Sequence, residues 1–147
     1  MPNSKHQAIV DAAEAALLAG TPLVGGRVFE GRDRTMPAGV ASQILVWKGA
    51  TSPQPAELTG APQDWLTEIV FLIKARRSGS DSAEKVADSI WVDVYERVLS
   101  NAALQALVWD LQAGDADEPQ RDEVDTDVVL LEWRITCRHR TTTTSIA

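Results

Sequence analysis

The segment DWLTEIVFLIKARR, residues 64–77, has the clearest β-strand pattern in the chain and decides its architecture. Side chains alternate between the two faces of a strand, so the odd positions form one face. That face is apolar apart from one threonine and carries Trp65, Thr67, Ile69, Phe71 and Ile73. The other face mixes apolar and charged side chains: Leu66, Glu68, Val70, Leu72, Lys74 and Arg76. The segment therefore predicts a strand with one face in the core and a second face of mixed character.

Helical patterns lie on both sides of this strand. Residues 4–20, SKHQAIVDAAEAALLAG, repeat small and apolar side chains at helical spacing, and Ser4 and Gln7 have the spacing of a capping box. Residues 78–101 have a similar apolar stripe, and Asp81 and Glu84 have capping-box spacing there. Two helices, each with one apolar face, are predicted.

Four more segments have strand patterns. They are the short stretch within TPLVGGRVFEGR (21–32), SQILVWKG (42–49), QALVWDLQAG (105–114, after a turn or short helical piece at 100–104) and VVLLEWRITCRHR (128–140). The predicted order is α-β-β-β-α-β-β. It indicates one α+β domain over residues 1–147, with a mainly antiparallel sheet of about five strands and both helices on its apolar face. Residues 141–147 lack a pattern and are expected to fray.

Composition and charge exclude several classes of protein. The chain has 147 residues and a net charge of −7, which argues against a domain that grips phosphate backbones. No apolar run reaches the roughly 18–20 residues that span a bilayer, and residues 1–7 lead into a helix without a signal-peptide core. With Cys137 as the single cysteine, a cytoplasmic, reducing location without membrane contact is expected.

Candidate catalytic residues are few. Cys137 and His139 share one face of the last predicted strand, which leaves open a nucleophile and base, or half of a metal site. No third ligand or orienting carboxylate has a recognisable spacing, and Cys137 continues an apolar row that fits the core. His6, in the first turn of a helix, is expected to be exposed. The glycines form no phosphate-binding motif, and no cofactor is predicted; a small ligand-binding or enzymatic α+β domain is the alternative from another class.

The loops at residues 31–42, 49–63 and 113–127 are long and polar. The third has closely spaced carboxylates, as calcium-binding loops do. Pro119 and the lack of a turn glycine instead favour a solvated loop that becomes ordered against a partner. Its partner-contact candidates are Asp115, Asp117, Glu118, Arg121, Asp122 and Glu123.

The mixed face of the sheet is the main candidate for an interface. Val70 and Leu72, with Val128 and Leu130, place apolar side chains on the side that the helices do not cover, so an isolated subunit would expose them. Arginine is common at protein contacts, and a repeated contact of this kind suits a ring. Ordinary cross-strand pairing on a solvated sheet is the alternative. The interface candidates are Arg27, Arg32, Arg34, Glu68, Val70, Leu72, Lys74, Val128, Leu130, Glu132 and Arg134.

The order of elements resembles a known family. The chain resembles the tail terminator proteins of long-tailed bacteriophages, of the lambda minor tail protein U type. The resemblance is carried by the first helix and by the stretches RVFEGRDRTMP, QILVW, DWLTEIVFLI, AEKVADSIWVDVYERV, LVWDL and WRITCRHRT. The resemblance runs from about residue 5 to residue 141. Other tail-completion and head–tail joining proteins have a similar order of elements.

The resemblance implies a structural role and not an enzymatic one. Such subunits form a hexameric ring that caps the tail tube, stops its polymerisation and provides the surface on which the head docks. The implied partners are other copies of the chain, the tail tube protein and the head-neck connector proteins, and DNA passes through the ring without specific binding. The implied location is the virion tail, assembled in the host cytoplasm, with loops that become ordered in the ring.

Overall fold

The computed structural model describes residues 3–54, 62–142 and 145–146. This part of the chain contains three helices, six strands and one 3₁₀ turn, and confirms the α+β class. In chain order they are α1 (Lys5–Leu18), the 3₁₀ turn (Leu23–Gly26), β1 (Val28–Glu30), β2 (Ser42–Pro53), β3 (Gln63–Arg76), α2 (Ala83–Leu99), α3 (Ala102–Leu107), β4 (Asp110–Ala116), β5 (Gln120–Arg121) and β6 (Val128–Thr141).

The sheet is mainly antiparallel, as predicted, but one short parallel pair makes it mixed. Its strand order is β1-β2-β3-β6-β4, and β5 also pairs with β6. β2, β3 and β6 are antiparallel neighbours, but β1 runs parallel to β2, with Val28 opposite Ile44. The physical reason is the connection at residues 31–41, which carries the chain back before β2 begins. Parallel neighbours need such a crossover, which a tight hairpin cannot supply.

Both predicted helices form, with one change of cap. The Ser4 side chain accepts a hydrogen bond from the Gln7 amide, as the capping-box spacing predicts. In α2 the cap is Ser82, which accepts from the Lys85 amide, and not Asp81. Asp81 is part of a turn in which its backbone N–H and C=O both pair with Ser78.

The expected strand at residues 105–114 is wrong in its first half. Asn101 accepts a hydrogen bond from the Leu104 amide at 2.8 Å and starts α3, which continues to Leu107. Leu104 is fully buried in the core, so tertiary packing together with the cap favours a helix over the strand propensity of this segment. β4 begins only at Asp110.

Replacing this cap should weaken the fold measurably. Asn101→Ala removes the acceptor for the Leu104 amide, and we expect the free energy of unfolding to fall by about 1 kcal/mol, as measured by urea denaturation. Asn3→Ala is the matched control, because the Asn3 side chain is exposed and its one side-chain hydrogen bond, to Asp11, is long at 3.5 Å and therefore weak. Equal stability of the Asn101 variant and the wild type would contradict a stabilising cap.

The core lies between the sheet and the helices. Trp133 of β6 is fully buried, its ring 5.3 Å from that of Phe71 on β3 and 5.3 Å from that of Tyr95 on α2. The odd-numbered face of β3 and the apolar stripe of α2 both face this layer, as predicted. Within the described residues, no helix has the length and apolar content needed to cross a bilayer.

Two strands are longer than the sequence predicts. β2 continues to Pro53 across a bulge between Lys48 and Thr51, so the expected loop 49–63 is shorter, and its residues 55–61 lie outside the described residues. β6 includes Thr141, whose hydroxyl accepts a hydrogen bond from the Trp65 indole at 2.9 Å. Beyond it, the Ile146 carbonyl accepts from the Lys5 amide at 2.7 Å, and residues 143–144 and 147 of the expected frayed segment lie outside the described part.

Candidate subunit interface on the far face of the sheet

The far face of the sheet, opposite the helices, contains the predicted interface residues of β3 and β6. In the strand register, Val70 lies beside Arg134, and Leu72 beside Glu132. On its other side, β3 is flanked by β2, which places Leu45 beside Leu72. The predicted mixed face therefore exists as one surface across three strands.

The loop at residues 31–41 folds over one end of this far face. The Arg34 carbonyl accepts hydrogen bonds from Lys74 Nζ at 2.9 Å and from Gln43 Nε2 at 3.1 Å. Met36 of the same loop is only 9% exposed. The loop at residues 31–41 thus covers part of its own sheet, and some of its polar groups form hydrogen bonds within the chain.

The expectation that an isolated subunit leaves this whole face exposed is wrong. Val70 and Val128 are 4% and 1% exposed, and Lys74 is 8% exposed. At the end beside Val128, Arg76 donates to the Val40 carbonyl at 3.0 Å and forms a 2.7 Å ion pair with Asp125. The connections of the chain itself occupy this end, which sequence periodicity alone does not reveal.

The three predicted arginines of the first loop have different surroundings. Arg27 donates from Nε to the Ser42 carbonyl at 2.8 Å, a contact within the chain. The guanidinium carbon of Arg34 lies 3.4 Å from the centre of the Phe29 ring, and that of Arg32 lies 5.6 Å from the Trp47 ring. Both arginines are exposed, and neither forms an ion pair with a described residue. Their charges stay unmatched while their side chains are held by aromatic rings.

Two shallow grooves remain open on the far face, on either side of Glu132. The first, the β2 groove, has a volume of about 390 Å³ and is lined in part by Arg32, Trp47, Lys48, Glu68, Val70 and Arg134. The second has a volume of about 190 Å³ and is lined by Leu72, Asp117, Glu118, Gln120, Leu130 and Glu132. The half-buried Leu72 and Leu130 keep part of their apolar surface available there.

Arg134 is neutralised within the chain. It forms ion pairs of 2.7 Å with Glu132 and 3.4 Å with Glu68. The hydrogen bond that Arg134 donates to Glu132 raises the pKa of Arg134, and the charges of Glu132, Glu68 and Asp117 act in the same direction. Three of the predicted interface charges thus form a closed network, whereas Arg32 in the same groove has no ion-pair partner among the described residues. Lys48 pairs with Ile69 in the strand register, so its side chain lies on the helix side of the sheet.

The acidic loop is partly organised by its own residues. Asp122 accepts from the Val124 and Asp125 amides, and Arg121 forms a 3.1 Å ion pair with Glu84 of α2. Residues 115–118, which we call the acidic segment, are exposed, as is Glu123. Across residues 3–54, 62–142 and 145–146, no group of three or more metal-ligating side chains comes together.

A buried polar cluster lies on the helix side of the sheet, where the sequence predicted an exposed His6. His6 is 4% exposed, and its Nδ1 is 3.1 Å from both Thr67 Oγ1 and His139 Nε2. Thr67 Oγ1 is also 2.9 Å from His139 Nε2. The sequence did carry a signal: Thr67 and His139 are polar residues in otherwise apolar rows of two neighbouring strands.

Burial controls the titration of this cluster. It lowers the pKa of His139 to about 4, with His6 and Lys5 acting in the same direction. It also lowers the pKa of His6, with a contribution from Lys48. The neighbouring thiol of Cys137 is fully buried, and burial raises its pKa to about 12. Since the thiolate is the nucleophile, Cys137 in this setting is a core residue, as predicted.

Comparisons with known proteins show a similarity of fold. No protein-family model and no curated protein sequence matches the chain. Among solved structures, the chain is similar to a chain of the virion of a native gene transfer agent (GTA) particle, with a TM-score of 0.60 and 17% identity. The match covers 89% of this chain and 93% of that one. At this identity, the similarity shows a shared fold.

Proposed function

We propose that this chain is a structural subunit of a phage-like particle and, within that class, a tail terminator. In this role the subunits form a ring, hexameric in the related phages, that caps the tail tube, stops its polymerisation and presents a surface to the head. The tail tube protein and the head-neck connectors are the proposed partners. The chain acts by assembly and not by catalysis.

The observation that carries this proposal is the fold match to a chain of a gene transfer agent virion. It covers nearly the full length of both chains, so it concerns the whole domain and not a common supersecondary unit. The sequence resemblance to tail terminators points independently to the same class of particle. Agreement between these two lines favours a virion subunit over a small enzyme.

The far face supports self-association physically. Leu72 and Leu130 are half-buried beside exposed carboxylates, and Arg32 and Arg34 carry charges without a partner among the described residues. A net charge of −7 also suits a ring through which DNA passes, because a strongly basic lumen would retain the DNA. Among the predicted interface residues, those in the open parts of the far face are the ones available for a contact between subunits.

Deleting the gene from the particle that encodes it tests the proposal. We expect tails of uncontrolled length without attached heads, seen by electron microscopy, because the tube has lost its terminator. The wild-type chain supplied in trans should restore a single tail length. Unattached tails of normal length would instead indicate a neck or tail-completion subunit, and intact particles would contradict a structural role.

A further inference from the structure

The first turn of α1 is attached to the sheet separately from the rest of the helix. Within this turn His6 is the buried side chain, and Lys5 donates hydrogen bonds to two backbone carbonyls, from Nζ to Arg140 and from its amide to Ile146. The remainder of α1 packs through a buried apolar row of Ile9, Val10, Ala13, Ala16 and Leu17. Polar contacts therefore hold the first turn, while apolar packing holds the rest of the helix.

The main contact of this turn is between two imidazole rings. His6 Nδ1 lies 3.1 Å from His139 Nε2, and Thr67 Oγ1 lies within 3.1 Å of both nitrogens. A hydrogen bond between two neutral imidazoles needs one nitrogen to donate and the other to accept. Protonating both rings would place two N–H groups against each other. Protonating one ring would place a charge in a site where His6 is 4% exposed and His139 is fully buried.

The charges around the pair also disfavour its protonation. Burial, His6 and Lys5 lower the pKa of His139, and burial and Lys48 lower that of His6. Lys5 belongs to α1, and Lys48 lies on the helix side of β2. No carboxylate of the described residues hydrogen-bonds to either imidazole. A charged ring at this site would therefore lack a counter-ion.

The charged groups on the neighbouring strands interact with other partners. Arg140 follows His139 on β6 and forms a 2.7 Å ion pair with Asp64 of β3. Asp110 of β4 acts on Cys137 instead: burial and then Asp110 raise the pKa of Cys137 to about 12, so it is a neutral thiol. These carboxylates thus do not compensate a charge on the imidazole pair.

A cavity reaches His139 from the side of α3. It has a volume of about 480 Å³, and Leu107 and Val108 line it together with His139. The Nδ1 atom of His139 is buried and has no hydrogen-bond partner among the described residues. The cavity therefore brings solvent close to a buried ring that can titrate.

We propose that the His6–His139 pair is an acid-sensitive switch: when neutral it keeps the first turn of α1 on β3 and β6, and when protonated it releases this turn while the apolar part of α1 stays in place. Released rings are hydrated and titrate near 6.5, whereas burial lowers the pKa of the docked His139 to about 4. The docked turn is therefore most stable above about pH 6.5 and becomes less stable as the pH falls toward 4. Release exposes Thr67 and the Trp65 ring, which lies 5.0 Å from that of His6. This inference does not depend on the proposed function.

Hydrogen exchange measured by NMR on the full-length chain tests the switch. The reporter is the Ala8 amide, which closes the first turn by donating to the Ser4 carbonyl at 3.0 Å. Between pH 7 and pH 4.5 its opening equilibrium constant should rise roughly 50-fold through His139 alone, after correction for the intrinsic exchange rate at each pH. Because a local opening exposes little surface, this exchange should not depend on urea below the unfolding transition. The Phe71 amide, in the middle of β3, reports global opening and should depend on urea.

Three variants make the test specific. His6→Gln with His139→Gln removes both histidines of the chain and should abolish the pH response of the Ala8 amide. Lys48→Gln changes an exposed residue and removes a charge that lowers the pKa of docked His6, so its response should be smaller than that of the wild type. Glu14→Gln is the matched control, because Glu14 also titrates on α1 but acts with Glu30 and Asp11 and not with the pair. It should respond like the wild type.

Several outcomes overturn the switch. Protection of the Ala8 amide that stays constant from pH 7 to pH 4.5 would do so, as would a double histidine variant that keeps the response of the wild type. If Ala8 and Phe71 depend on pH and urea in the same way, the whole domain opens and no local release occurs. If the double variant does not fold, Lys48→Gln decides: a response equal to that of the wild type contradicts the switch, and a smaller one supports it.

Discussion

Lowering the pH from 7 to 4.5 should reduce the free energy of unfolding by about 2 kcal/mol through His139 alone. Burial lowers the pKa of this histidine to about 4, whereas it titrates near 6.5 in the unfolded chain. Between these two values the unfolded state binds more protons than the folded state. The stability that depends on neutral His139 is therefore complete above pH 6.5 and is lost as the pH falls toward 4.

His6 should add to this loss because burial also lowers its pKa. Glu14 acts in the opposite direction over the same range, since burial and the nearby Glu30 and Asp11 raise its pKa. Hydrogen bonds from Arg140 and Arg76 lower the pKa values of Asp64 and Asp125. The stabilisation that these two carboxylates give the folded state is therefore lost only at still lower pH. The window between pH 7 and 4.5 thus reports mainly on the histidines.

Urea denaturation at pH 7, 6, 5 and 4.5 measures the effect. His139→Gln is expected to flatten this pH dependence, even if it lowers the stability at pH 7. The chain has two histidines, so NMR should resolve both, and the His139 ring should titrate near pH 4. A His139 midpoint near 6.5, or constant stability across this range, would contradict the buried neutral pair.

The parts of the fold that follow from local pattern were predictable. The alternation of β3, the stripe of α2 and the capping spacing at Ser4 each depend on residues close in sequence, and each is confirmed. The error at residues 105–109 has the opposite origin. There, Val108 and Trp109 favoured a strand starting at residue 105, whereas α3 continues to Leu107 and buries Leu104 in the core.

The candidate interface was only half predictable, because part of it depends on contacts between residues distant in sequence. Strand alternation correctly placed Val70 and Leu72 on one face. What covers that face depends on where the loop at residues 31–41 goes, and this path is fixed by long-range hydrogen bonds from Lys74 and Gln43 to the Arg34 carbonyl. The His6–His139 pair is a similar case, because it joins residues separated by nearly the whole chain.

Val70→Asp and Leu72→Asp should have opposite consequences, although the two residues share the far face. Val70 is 4% exposed, so aspartate there places a carboxylate in a nearly closed environment. We expect the free energy of unfolding to fall by about 3 kcal/mol or more, because a buried charge without a dedicated partner is costly. The nearby Arg134 cannot serve that purpose fully, since Glu132 and Glu68 already pair with it.

Leu72 is only half-buried and lines an open groove, so its aspartate variant can remain hydrated. We expect a stability loss of about 1 kcal/mol or less, but a loss of assembly, because truncating and charging a central apolar contact typically costs about 2 kcal/mol or more of binding. Urea denaturation and sedimentation velocity on the same samples separate the two effects.

Val92→Asp is the control that gives this comparison its meaning. Val92 lies on the outer surface of α2, away from the sheet, and is 48% exposed, so its aspartate variant should change neither stability nor assembly. If Leu72→Asp unfolds the chain as Val70→Asp does, the groove is part of the core. If Leu72→Asp leaves the assembly intact, subunits do not meet across this part of the far face, and a ring would have to form through the helix layer or the sheet edges instead.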